Sequence, residues 1–171
     1  TVIYSIWNAV NDPLIGYITG KTSKVTRRFG RHTPWILSGI VLCSVSYVGI
    51  FAVPDWIRKK PVMLFLWMVT FVCLNDGFYS LWEVNYQEVF PNKFRTTEER
   101  SKTAVIATSI GVFGIALGAV LPPIFYSYGD PGSFATSAMI IGAICIIGAI
   151  LIRRGVSETP EMKLASAKVE Q

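Results

Sequence analysis

Between Lys102 and Arg153 the only charged residue is Asp130, so two apolar stretches lie almost end to end. A hydrocarbon core of about 30 Å is crossed by roughly 20 mostly apolar residues in a helix, and each stretch is about that long. The pattern recurs upstream, giving candidate spans at about 2–18, 34–53, 62–90, 103–125 and 134–152, the third with a polar second half. With 51% of its 171 residues hydrophobic and only 16% charged, against about 25% in soluble domains, the chain is too apolar to hide these runs in a soluble core. The predicted fold class is all-α, a polytopic transmembrane helical bundle of five spans. The net charge of +5 does not point to nucleic acid, because the basic residues form short clusters between apolar runs rather than one polar face.

Those clusters set an expected orientation. Of 16 Lys and Arg, only Arg58, Lys59 and Lys60 fall on one side, if alternate loops share a side. The loops at 19–33 and 91–102 and the tail at 153–171 carry the rest, so the positive-inside rule makes them cytoplasmic. Pro54, Pro61, Pro91 and the GlyAspProGly run at 129–132 fall between spans, where turn residues belong. Cys43, Cys73 and Cys145 lie inside apolar runs with no metal-ligand spacing, and read as small core residues. The first 18 residues lack the basic start and small-residue cleavage site of a signal peptide. Thr1 is not a Met, and the expectation is a fragment whose natural protein starts earlier.

Ionisable groups inside a span cost about 2.5 kcal/mol or more and call for a reason. Asn8, Asn11 and Asp12 are spaced i, i+3, i+4, which places one carboxylate and two amide oxygens on one side of the first span. Such hard oxygen donors suit a small cation, or Asp12 alone could carry a proton. The alternative is a helix-packing hydrogen-bond cluster beside Pro13. In the third span Tyr79, Glu83 and Gln87 recur at i+4 with Tyr86 beside them. An aromatic face next to a carboxylate suits a polyhydroxylated ligand, and the competing reading is that Glu83 pairs with a cation on another helix or sits near the headgroups. Asn75 and Asp76 fit a structural or a coupling role equally. Gly114 and Gly118 form a GxxxG pair that permits close helix approach. His32, among loop arginines, is expected to be solvated, with a proton relay as the alternative.

The stretch from Ser5 to Ile18, SerIleTrpAsnAlaValAsnAspProLeuIleGlyTyrIle, is followed by ArgArgPheGlyArgHisThrProTrpIleLeu from Arg27 to Leu37. This pair resembles the second helix and following loop of the melibiose-permease-type glycoside–pentoside–hexuronide:cation symporters, a branch of the major facilitator superfamily. TyrSerLeuTrpGluVal at 79–84 and GluGluArgSer at 98–101 continue the resemblance in order. It implies residues 1–171 are part of the N-terminal half, covering the family's second to sixth helices. The tail would lead to a linker, and the first helix and a second six-helix bundle would be partners outside this chain. It further implies a cation site at Asn8, Asn11, Asp12 and Ser80, and a solute site drawing on Tyr79, Glu83, Gln87 and Thr108. Asn8 replaces a second Asp of the family pattern, Gln87 a Trp and Thr108 an Arg, which removes a carboxylate, a stacking face and a hydroxyl donor. Gly16, Lys21, Gly30 and Arg31 fit the superfamily's gating-loop motif, whereas Gly20 stands at its acidic position. A clasp there must recruit another carboxylate, or Lys21 and Arg31 serve topology alone.

The expected function is cation-coupled symport of a small polar solute, a sugar or glycoside, by a multi-pass protein of the lipid bilayer in the cell membrane. The coupling ion is Na⁺ or H⁺. No cofactor is called for, and no metal beyond Na⁺ at Asp12. Alternatives are a lysolipid or other amphiphile carrier of the same superfamily, and a non-transporting membrane scaffold. An enzyme is not expected, because no Ser/His/Asp set, metal cluster or phosphate loop is visible.

Overall fold

A computed structural model describes residues 2–20, 30–158 and Met162. Its helices are α1 (Val2–Gly20), α2 (Thr33–Phe51), the single turn α3 (Asp55–Arg58), α4 (Pro61–Lys93), α5 (Thr97–Phe125) and α6 (Pro131–Val156). There is no strand among the described residues, and the class is all-α. By length and composition α2, α4, α5 and α6 can each cross a membrane. Helix α1 is not among them, because Asn8, Asn11 and Asp12 interrupt its apolar run.

Helices α5 and α6 begin before their apolar windows because side-chain caps, rather than hydropathy, set their starts. Helix α5 starts six residues before the expected span: the Thr96 hydroxyl accepts from Glu99 N at 3.2 Å, and the Glu99 carboxylate accepts from Thr96 N at 3.4 Å. Asp130 caps α6 by accepting from Gly132 N at 2.9 Å, with Pro131 at the first helical position. Helix α4 has 33 residues, or about 50 Å at 1.5 Å per residue, so its polar end projects past a hydrocarbon core of about 30 Å unless it tilts.

Helix α2 is the hub, packing on α4 and α6, while α1 packs on α4 and α5 lies mainly along α6. Gly39 lets α2 and α4 meet: a Cβ there would sit 2.8 Å from Trp82 N. Polar ties reinforce the pair, since the Asn75 amide donates to Cys43 O at 2.9 Å and to Ser46 Oγ at 3.1 Å. Trp67 Nε1 donates to Gly49 O at 2.9 Å. In hydrocarbon such bonds contribute about 0.6 to 2 kcal/mol each. The compact apolar core is a small cluster of Ile36, Val89, Val156 and Met162 at the basic end of the bundle. Much of the remaining apolar surface faces outward, and α5 has no buried residue.

One expectation about the basic end changes. Helix α6 continues to Val156, Thr33 Oγ1 donates to Val156 O at 3.1 Å, and Glu158 is buried. His32 is also buried, not solvated, because α4 and the chain after α6 close over it. Lys21, Lys24, Arg27 and Arg28 lie outside the described residues.

Candidate functional site

The α1–α4 contact turns the polar residues of both helices toward a shared groove of about 510 Å³. Helix α1 contributes Asn8 and Asp12, and α4 contributes Asn75, Asp76, Tyr79, Ser80, Glu83 and Gln87. The volume lies within the range of about 300–1,000 Å³ typical of small-molecule sites. Three carboxylates, Asp12, Asp76 and Glu83, line it together with no Lys, Arg or His among its described lining residues. The electrostatic field there favours cations, more strongly wherever lipid or protein excludes water.

The i+4 spacing on α4 is realised as direct contact: Gln87 Nε2 donates to Glu83 Oε1 at 2.9 Å. Tyr79 stands one turn before Glu83, half exposed, with its ring edge-on to Trp82 at 5.2 Å. Ser80 is buried against the groove, and Asp12 is exposed to it. Asp76, for which the sequence left two roles open, lines the groove, and Asn75 lines it while holding α2.

Three residues of the sequence-based set lie elsewhere. Asn11 is 4% exposed and sits at the α1–α4 contact, its Oδ1 positioned 3.5 Å from where a Cβ on Gly77 would be. Tyr86 belongs to a ladder of rings, 6.4 Å from Trp82 and 6.1 Å from Phe90, that flanks the buried cluster. Thr108 is exposed on α5, away from the groove. In the gating loop, Arg31 Nη2 donates to Gly20 O at 3.0 Å, so Arg31 caps the carboxyl end of α1. Gly30 has φ +104° and abuts the Glu158 carboxyl, where a Cβ would come within 2.9 Å. Sequence reasoning did not find Asn85, Glu88 or Glu158, which surround His32.

A second cleft of about 450 Å³ opens between α2, α5 and α6 and is almost wholly apolar. Gly114 and Gly118 line it with no atom within 4 Å of their Cβ positions, so within this chain the GxxxG pair faces a cleft rather than a packed helix. Asn75 borders both clefts.

Comparison with known proteins agrees with this architecture. The chain is 30% identical to the lactose permease of Lactobacillus helveticus over 188 aligned positions, covering 98% of this chain and 27% of that protein. It is 30% identical to the sodium-dependent lysophosphatidylcholine symporter 1 of Gallus gallus over 115 positions, 67% of this chain and 21% of the relative. The Homo sapiens protein of the same name is 29% identical over 117 positions, 67% of this chain and 20% of the relative. The chain thus spans about a fifth to a quarter of the length of these relatives. No solved structure matches it. The family described as MFS/sugar transport protein matches residues 1–171, every position of the sequence. An all-helical bundle with four apolar crossing helices, and a family match from end to end, have one meaning: the chain belongs to the MFS/sugar transport protein family, whose members are integral multi-pass membrane proteins.

Proposed function

We propose that the chain is part of a secondary active symporter in which a cation at Asp12, helped by Asn8 and Ser80, and a polar solute near Glu83, Tyr79 and Gln87 bind together. The observation that carries this reading is the single acidic groove that joins Asp12 of α1 to Asp76 and Glu83 of α4. A bound Na⁺ or proton offsets part of that negative charge, so each ligand favours the other by linkage. The cation gradient then drives solute across the cell membrane with no covalent chemistry. Asn11 is buried at the α1–α4 contact, Tyr86 packs beside the basic-end cluster and Thr108 is exposed on α5, so the proposal rests first on Asp12 and Glu83.

The solute class proposed first is a sugar or glycoside, in keeping with the lactose permease relative. The half-exposed Tyr79 ring covers C–H surface while Glu83 and Gln87 accept and donate to hydroxyls. One observation favours an amphiphile instead. The apolar cleft meets the polar groove at Asn75, so a headgroup and an acyl chain could be held side by side, in line with the lysophosphatidylcholine symporter relatives. Binding of lactose and of lysophosphatidylcholine to the full-length protein in proteoliposomes separates the two. Glu83→Gln is expected to weaken whichever ligand binds by about tenfold, the loss of one charge-assisted hydrogen bond. Unchanged affinity in that variant would remove Glu83 from the solute site, and a wild type that transports neither ligand, with Asp12 and Glu83 tolerating neutral substitution, would favour a scaffold.

A further inference from the structure

Helices α1 and α4 both end at the basic face. Arg31 Nη2 donates to Gly20 O, the last residue of α1, while the neighbouring His32 has Nδ1 2.9 Å from Asn85 Oδ1 and Nε2 3.3 Å from Glu88 Oε2, late in α4. The two helices therefore run the same way, and Gly77 marks their register: a Cβ there would stand 3.5 Å from Asn11 Oδ1 and 3.8 Å from Trp7 Cζ2. One turn of α1 straddles that position. Asn8 and Asp12 each follow one residue after those contacts on α1, and Asp76 directly precedes Gly77 on α4, so the three meet at one level of the groove that they line. Ser80 lies one turn, about 6 Å, further along α4 on the same side as Asp76.

Each helix thus offers an i, i+4 pair of oxygen-bearing side chains, Asn8 with Asp12 and Asp76 with Ser80, to a single stretch of the groove. Ser80 is 5% exposed and lines the groove, yet its hydroxyl has no hydrogen-bond partner among the described residues. The hydroxyls of Ser44, Ser46 and Ser109 instead each return to a carbonyl of their own helix. A buried hydroxyl left without a partner is costly, and a bound cation would take its lone pair. Asp12 and Asp76 repel each other in a groove with no Lys, Arg or His among its described lining residues, and a cation between them offsets that repulsion. Glu83, two turns or about 10 Å beyond Asp76, is engaged with Gln87 at 2.9 Å and lies outside this stretch.

We propose that Asp76 is the second carboxylate of the cation site, and that the ion held between Asn8, Asp12, Asp76 and Ser80 is Na⁺. The inference rests on the symport reading above and deepens it by naming the ion and the residue that selects it. A proton is carried by one carboxylate and has no use for the amide oxygen of Asn8 or the hydroxyl of Ser80, whereas a hard metal cation draws on all four oxygen-bearing side chains. The groove then divides along α4: the ion sits at the Asp76 end, and Glu83 and Gln87 are left to the solute.

The test measures equilibrium binding of radioactive Na⁺ to the full-length protein in nanodiscs, without solute. Asp76→Asn is nearly isosteric and should weaken Na⁺ binding by about tenfold or more, the loss of one close charge pair, while its unfolding midpoint in Na⁺-free buffer stays near that of wild type. Moving the carboxylate across the groove, with Asn8→Asp combined with Asp76→Asn, should restore most of the lost affinity, a rescue that a purely structural Asp76 gives no reason to expect. Should Asp76→Asn not fold, this exchange variant decides alone. Wild-type Na⁺ affinity in Asp76→Asn, or an exchange variant without restored Na⁺ binding, would overturn the proposal. A wild type that binds no Na⁺ while its binding of lactose or lysophosphatidylcholine follows pH would overturn it and leave the symport reading standing. Solute binding indifferent to every cation would overturn both.

Discussion

Gly39 sets how closely the two central helices approach. A methyl group there would stand 2.8 Å from Trp82 N, and backbone cannot swing aside as a side-chain tip can. Gly39→Ala is expected to cost about 1–3 kcal/mol, the usual penalty of overpacking, read as a lowered unfolding midpoint in detergent. An unchanged midpoint would mean that α2 and α4 do not touch there. Single positions were also where sequence reasoning reached its limit. Asn8, Asn11 and Asp12 share one side of α1, but at 100° per residue they cover an arc of about 100°. That arc straddles two environments, so Asn8 and Asp12 face the groove while Asn11 is buried at α4. His32 was less legible still, because its partners Asn85 and Glu158 lie 53 and 126 residues away along the chain.

Helix existence was readable because apolar runs and charged clusters alternate so sharply; helix ends and orientations were not. Hydropathy stops at the first charges, whereas Thr96 and Glu99 carry α5 outward by reciprocal capping. Thr96→Ala should therefore cost about 1 kcal/mol and speed amide exchange in the first turn of α5, and exchange at the wild-type rate would contradict the capping box. Which face of α5 meets which neighbour depends on tertiary packing, and Thr108 is accordingly exposed despite its place in the family pattern. Between elements, Asn75 is the clearest polar tie. Asn75→Ala removes the bonds to Cys43 O and Ser46 Oγ, with an expected loss of about 0.6 to 2 kcal/mol in the same unfolding measurement. A loss near zero would show that water or lipid headgroups satisfy those groups equally well.

At the scale of the whole molecule, the proposed coupling of a cation to a solute in the acidic groove runs through Asp12. The α1–α4 contact serves that proposal by setting Asp12 of α1 in one groove with Asp76 and Glu83 of α4. Asp12→Asn is nearly isosteric and should leave the helix and its packing intact while removing the only ionisable group that α1 places in the groove. The most direct measurement is equilibrium solute binding to the full-length protein in proteoliposomes, with and without Na⁺ and across pH, in wild type and Asp12→Asn. The wild type should bind solute about tenfold or more tightly when its coupling ion is present, within the usual range of coupling free energies. Asp12→Asn should still bind, but with an affinity indifferent to Na⁺ and to pH. If Asp12→Asn keeps the wild-type cation dependence, Asp12 is a packing residue and coupling resides elsewhere.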